Sequence, residues 1–297
     1  KRKWKRRVLR AGGVIFLLIL AVVLYILVVS KTTPPEIADQ SSLNWQRMEN
    51  SPGFYTLKNS WFRKSGSGLY ELYVEGKPYE RGVVNVKRTK ERLHQQEEYF
   101  NDQIRKMVPS KFYLHFLKYF VGWFNRNLSK YVAPEYKEEI YGISASASDK
   151  YNYIGSNYMR ILNYHAAHDI GHALQNLALV GCTSFGTWGD KSAGGNMIIG
   201  RNFDFYVGDH FSENKIVAFE NPSEGHKFMS VTWGGFIGVV SGMNDRGLTV
   251  TINAAKSSIP TGSATPVSLV AREILQYAEN ISEAEAIARK RKMFVSE

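Results

Sequence analysis

The 297-residue sequence predicts an α+β protein carrying one membrane-spanning helix near its N-terminal end. Three observations support this. Ala11 to Ser30 reads AGGVIFLLILAVVLYILVVS, with no charged residue. Between about 88 and 177 the apolar positions follow helical spacing. From Val180 onward, Gly-rich turns separate short segments rich in β-formers. A run of helices followed by a run of strands reads as α+β.

The apolar run is 20 residues long, and at about 1.5 Å per residue it covers roughly the 30 Å hydrocarbon core of a bilayer. A secretory signal has a shorter apolar region of about 7–15 residues and a small-x-small cleavage site, and Val28-Val29-Ser30 is a poor match, so the run reads as an uncleaved anchor. Lys1, Arg2, Lys3, Lys5, Arg6, Arg7 and Arg10 precede it and supply seven of the net charge of +11, leaving +4 for the rest. The basic cluster is therefore a topology signal. It places residues 1–10 in the cytoplasm and the chain after Lys31 on the far side, the periplasm in a bacterial host. Nucleic acid is excluded as a partner on the same ground. With 44% hydrophobic and 22% charged residues, wholesale disorder is excluded. A single cysteine, Cys182, rules out an internal disulfide and any multi-cysteine zinc site. The chain starts with lysine rather than methionine, which marks the residues as part of a longer reading frame, with the C-terminal end expected to be cut as well.

In chain order, residues 31–67 contain Thr-Thr-Pro-Pro, Ser-Pro-Gly and Ser-Gly-Ser-Gly, and read as a tether with irregular turns. Leu69 to Glu75 alternates as a strand does, and Gly76-Lys77-Pro78 breaks it. Helices are expected at about 88–107, 111–130, 134–146 and 158–177. Strands follow at about 196–205, 214–220, 227–233, 236–241 and 247–253, and a helix with an acidic start and basic end at 265–292. The aromatic stretch Lys111 to Phe124 is read as a core helix, because aromatic stripes usually bury themselves; resting on a membrane or lining an acyl channel are the alternatives.

The richest chemistry surrounds Cys182. A lone cysteine is by default a small buried hydrophobe. To attack a carbonyl it needs a cation that favours the thiolate, a base, and donors for the developing oxyanion. Arg201 can supply the cation and Asn253 a donor. The segments Gly181-Cys-Thr-Ser-Phe, Gly200-Arg-Asn-Phe-Asp-Phe-Tyr and Gly242-Met-Asn-Asp-Arg-Gly-Leu, with Asn253 five residues on, resemble the N-terminal-nucleophile hydrolases of the penicillin acyltransferase and choloylglycine hydrolase type. Upstream, Gly76-Lys-Pro-Tyr-Glu-Arg-Gly82 is similar to the turn that opens the propeptide in the penicillin acyltransferase-like branch. The resemblance covers about residue 69 to the end.

That resemblance implies an αββα four-layer sandwich with part of its C-terminal half missing, because the family draws a second oxyanion asparagine and another arginine from later strands. It implies a mostly helical propeptide at 68–181 and a nucleophile chain at 182–297, separated by self-cleavage between Gly181 and Cys182. Gly181 lacks a Cβ, which opens backbone geometries for attack on its carbonyl. Cleavage would free the α-amine of Cys182, a group with an ordinary pKa of about 7.7–8.0 and so suited to act as a base. By resemblance, Arg201 would favour the thiolate and help hold substrate, Asp204 would orient the new amine, and Asn253 would donate to the oxyanion. Asn202 could brace the turn. The implied activity is a cysteine amidase or acyltransferase working on a small-molecule amide or acyl donor, lipid-like ones included, through an acyl-thioester and without a cofactor.

Two rival readings stand beside it. His165, His168 and His172 fall at i, i+3 and i+7 on one helix face, where imidazoles can bind zinc, but the glutamate of a helical HExxH site is missing and the spacing also describes an ordinary stripe. The other rival is a membrane-tethered interaction protein that has lost catalysis. Cys182, Arg201, Asp204 and Asn253 standing together argue against it.

Overall fold

The computed structural model describes residues 2–169, 180–205, 207–253, 255 and 262–294. Helix α1 (Arg2–Val29) is continuous and, among the described residues, is the one helix long and apolar enough to cross a membrane. A three-stranded meander follows, made of β1 (Met48–Ser51), β2 (Phe54–Leu57) and β3 (Ser60–Lys64). The stretch read as a tether is thus partly folded. Phe54 and Tyr55 in β2 and Trp61 and Phe62 in β3 supply the β-formers, and turns at Gly53 and Lys58, both with positive φ, join the strands. Then come β4 (Tyr70–Gly76), α2 (Pro78–Met107), α3 (Lys111–Phe124), α4 (Leu128–Tyr131), α5 (Pro134–Ser144) and α6 (Asn157–His165).

Beyond these lie β5 (Val180–Gly189), β6 (Gly195–Phe205), β7 (Ile216–Pro222), β8 (Phe228–Thr232), β9 (Ser241–Asn244) and β10 (Thr249–Thr251). The single closing helix expected at 265–292 is two, α7 (Val267–Tyr277) and α8 (Ile281–Lys290). They part where Ala278 turns extended and Asn280 caps α8 by accepting from the Glu283 N–H. The strand expected at 236–241 is instead an irregular stretch. Its backbone groups go elsewhere: the Ile237 N–H donates to His165 Nε2, and the Val239 N–H to the Ser268 carbonyl.

Eight strands form one mixed sheet in the order β1-β2-β3-β4-β7-β8-β9-β10. The pairing of β4 with β7 is parallel and joins strands from either side of Cys182, so the segment expected as a helical propeptide contributes one strand to the sheet and the stretch read as a tether three more. Alternation sorts the faces. Leu72, Val74, Ile216, Ala218 and Phe228 are buried beneath the helices. On the other face Trp61, Tyr73, Phe219, Met229 and Met243 line up across five strands. Phe219 and Met243 are exposed, so a second sheet stacked on this face, as a four-layer sandwich requires, is not seen among the described residues. Among the described residues β5 and β6 pair with each other and with no further strand.

The Gly76–Gly82 motif is explained residue by residue. Gly76 ends β4 at φ +112°, where a side chain would be strained. Pro78 opens α2, and Glu80 reaches back to accept from the Lys77 N–H. Gly82 lets α2 cross α5 at backbone contact: a Cβ there would lie 2.0 Å from the Glu139 carbonyl oxygen, and one on Gly142 2.4 Å from that of Tyr79.

Arg81 enters a buried cluster. It donates to Glu139 Oε2 at 2.6 Å and to the Gly76 carbonyl at 3.0 Å, while Arg272 of α7 reaches the same carboxylate at 3.0 Å. Glu220 of β7 lies 3.5 Å from Arg272. Burial pushes the Glu139 carboxyl up, but Arg272 and Arg81 pull it harder the other way and hold it below the usual carboxylate value. We expect Glu139→Ala to cost about 3–5 kcal/mol, since it leaves two buried arginines without their shared partner. Denaturant midpoints check this, with Glu98→Ala, which breaks the exposed pair with Lys150, leaving the midpoint in place.

Candidate active site

The site is built on the β5–β6 ribbon. Cys182 stands opposite Phe203, and Ser184 opposite Arg201. Paired residues share a face, and so do residues two apart, so Cys182, Arg201, Phe203 and Phe205 point the same way. Arg201 donates to Cys182 Sγ at 3.9 Å, to Ser241 Oγ at 2.9 Å and to the Ile252 carbonyl. Its guanidinium also sits 4.4 Å above the Phe203 ring. One side chain thus ties the thiol, the start of β9 and the segment after β10 together. Asn253 follows Ile252 directly; its amide donates to Thr251 Oγ1 at 3.1 Å, and its Oδ1 is buried without a hydrogen-bond partner among the described residues.

Asp204 and Asn202 alternate to the opposite, exposed face, where the Asn202 amide donates to Asp204 at 2.7 Å. Asp204 is the register partner of Gly181. The structure thus brings Cys182 together with Arg201 and, through Arg201, with the Ile252–Asn253 segment. It does not bring the Asp204 carboxylate to the thiol. The Gly181–Cys182 peptide lies within β5.

Behind Phe203 the ribbon closes a largely apolar cavity walled by Phe203, Phe205, Phe211, Trp233 and Phe236, with Leu93, Ile161, His165 and His168 and the polar Gln96 and Glu97 among the rest of its lining. The rings pack edge-on and tilted: Phe211 lies 5.1 Å from Trp233, whose indole N–H donates to the Phe211 carbonyl at 3.0 Å. Of these walls, Phe203 and Phe205 belong to the motif, but Phe211, Trp233 and Phe236 were not singled out from the sequence. Their signal was an aromatic density between 203 and 236 that has no period of its own.

The histidine stripe takes a packing role where it is described. His165 is fully buried and uses both ring nitrogens, Nδ1 with the Ile161 carbonyl at 2.8 Å and Nε2 accepting from the Ile237 N–H at 3.0 Å. Burial lowers its pKa to about 4, so the ring is neutral. His168 packs 4.7 Å from Phe205. His172, together with the rest of the helix expected to 177, lies outside the described residues. Among the described residues no three metal-binding side chains gather. Asp169, which the sequence reading passed over, is buried, and its Oδ1 accepts from the Val267 N–H at 3.0 Å at the start of α7. Burial raises its pKa to about 7.

Comparison with known proteins bears on the second half of this ribbon. Residues 191–294 match the family of acyl-coenzyme A:6-aminopenicillanic acid acyl-transferase. The match includes Arg201, Asp204 and Asn253 and begins after Cys182. It supports a penicillin acyltransferase-like relationship and suggests an enzyme of acyl transfer or amide hydrolysis. An uncharacterized protein of Archaeoglobus fulgidus is 28% identical over 233 residues, covering 74% of this chain and 38% of the relative. Protein dcd1B of Dictyostelium discoideum is 24% identical over 232 residues, 72% of this chain and 44% of its own. The chain therefore spans less than half the length of these relatives.

His165 and Asp169 make opposite contributions to stability with pH. The folded state withholds a proton from His165 between about pH 6.5 and 4, so this residue weakens the fold as pH falls through that window. Asp169 keeps its proton up to about pH 7 when folded, against 3.8 when unfolded, so its contribution is complete below 3.8 and lost as pH rises towards 7. Asp169→Asn removes only the second term. Relative to wild type, the variant is expected to lose about 3 kcal/mol on going from pH 6.5 to pH 4. Denaturant midpoints across that range test this, and parallel pH profiles for the two proteins would contradict it.

Proposed function

We propose that this protein is a membrane-anchored amide hydrolase or acyltransferase that activates itself by cutting its chain between Gly181 and Cys182. The observation that carries the reading is the thiol of the sole cysteine, preceded by glycine, facing Arg201, whose guanidinium lies over Phe203, a wall of the aromatic cavity. In maturation the Cys182 sulfur attacks the Gly181 carbonyl carbon. The C–S bond forms as the C–N bond breaks, and the thiol proton ends on the departing amine. Water then adds its hydroxyl to the acyl carbon and its proton to sulfur, leaving a Gly181 carboxylate and a free α-amine on Cys182.

The same atoms then serve substrate. The α-amine takes the thiol proton, the thiolate attacks the amide carbon, and the proton passes to the leaving amine. Arg201 stabilises the thiolate at short range, and Asn253 donates to the oxyanion. Asp204 is assigned to the amine rather than to the thiol, whose face it does not share. The acyl group occupies the aromatic cavity, which favours an apolar or arylalkyl chain. Water or a second amine resolves the acyl-thioester, and no step calls for a cofactor. Helix α1 holds the catalytic part at the bilayer, with the basic residues 2–10 on the cytoplasmic side.

Intact mass and N-terminal sequencing of the natural full-length protein test the maturation step. Wild type is expected to give a fragment beginning at Cys182, and Cys182→Ala a single chain. A wild type that stays uncut while hydrolysing amides, or cleavage at the same bond in Cys182→Ala, would overturn it. Once a chromogenic acyl-anilide substrate is in hand, Asn253→Ala is expected to lower kcat about 10²–10³-fold, the usual loss for one oxyanion donor. An unchanged kcat would remove Asn253 from the site.

A further inference from the structure

We infer that α3 is an in-plane membrane helix, lying in the headgroup region of an anionic bilayer beside the point where α1 leaves it. The inference rests on the reading of α1 as an anchor. Expectation placed the aromatic helix in the core, but its N-terminal half is uncovered: Phe112, Tyr113, Phe116 and Phe120 are 85%, 54%, 61% and 43% exposed. Spaced three or four residues apart, they form one side of the helix, about 12 Å long from 112 to 120. The C-terminal half is seated. Phe124 stacks on Phe294 at 6.2 Å, and the Asn125 amide donates to Asn163 at 2.6 Å.

Two independent features say what covers the open side. The first is continuity with α1. A Cβ on Gly122 would lie 2.8 Å from that of Ser30, so the end of the apolar run touches α3 directly. Because α1 is unburied along its length, the junction sits at the depth where hydrocarbon gives way to water. The second is charge. From Gln103 to Pro134 the chain carries no Asp or Glu, and although Arg105 is paired with Asp102 at 3.1 Å, Lys106, Lys111, Lys118, Arg126 and Lys130 remain. A helix with an aromatic face and a solely basic flank fits acidic lipid headgroups over an apolar boundary. Tyrosine and tryptophan at that level form the aromatic belt of bilayer interfaces, and α3 carries Tyr113, Tyr119 and Trp123 beside its phenylalanines. Held in this way at two points, the catalytic part cannot swivel freely about α1. It keeps one face toward the membrane, from which an amide with an apolar acyl chain can be drawn.

Site-directed spin labelling of the full chain tests the inference. In a Cys182→Ala background, single cysteines are placed at Phe112, Phe116 and Phe120, with Leu17 as a reference inside the anchor and Ser67, in the exposed turn between β3 and β4, as a reference in water. The protein is reconstituted in vesicles of phosphatidylcholine with phosphatidylglycerol, and collision rates with oxygen and with a water-soluble nickel chelate are compared. Labels at 112, 116 and 120 are expected to favour oxygen several-fold, as Leu17 does, while Ser67 favours the nickel chelate. If the three labels match Ser67 while Leu17 reports lipid, the in-plane helix is overturned and the anchor stands. Shielding of the three labels from both reagents would mean a protein partner or a second copy covers the face, which also overturns it. If Leu17 too reports water, the anchor reading falls together with this one.

Discussion

The Glu139 carboxylate, held between Arg81 and Arg272, is the contact on which the architecture depends. It gathers α2, α5, α7 and, through Glu220, the central strand β7 at one buried point. Two arginines face two glutamates, and the guanidiniums find further acceptors in the Gly76 and Ile237 carbonyls. Such a cluster does not add stability beyond what an apolar replacement of the same shape would give. What it adds is a requirement: misplacing any one element strands a charge in a dry interior, so helices and sheet are held to one arrangement. The close crossing of α2 and α5 at Gly82 and Gly142 serves the same end by bringing Glu139 within reach of Arg81.

Arg201 plays the corresponding part for the site. Among the described residues the β5–β6 ribbon makes no strand pairing with the large sheet, and Arg201 links it to Ser241 and the Ile252 carbonyl while its guanidinium faces Cys182. The cation expected beside the thiol is therefore also a bracket between two parts of the fold. Ser241 Oγ and the Ile252 carbonyl accept from its guanidinium and fix where its charge lies relative to the sulfur.

Several features were legible in the sequence because they depend on local chemistry. The break after β4 follows from Gly76 and Pro78, and α5 follows from its proline start. The strand ending at Phe205 follows from alternating β-formers after a Gly-rich turn. Other features were not legible, for identifiable reasons. The meander at 48–64 hid among Gly, Pro and Ser because short strands between tight turns resemble a linker until a neighbouring strand completes their hydrogen bonds. The 236–241 stretch looked like a strand by composition, but its N–H groups are claimed by a histidine ring and a helix carbonyl. The aromatic helix looked like core because hydrophobicity records a preference for leaving water without naming the place to go.

By itself, the sequence determined the apolar run at the N-terminal end, the α+β succession of elements and the grouping of Cys182, Arg201, Asp204 and Asn253 in motifs, since each rests on residues near one another in the chain. Only the tertiary structure decided which of those four share a face, that Phe211, Trp233 and Phe236 close a cavity behind Phe203, that His165 is spent on packing, and that the aromatic side of α3 stays open beside Ser30. Those outcomes depend on which distant backbone and side-chain groups meet after folding, and spacing along the chain carries no information about such meetings.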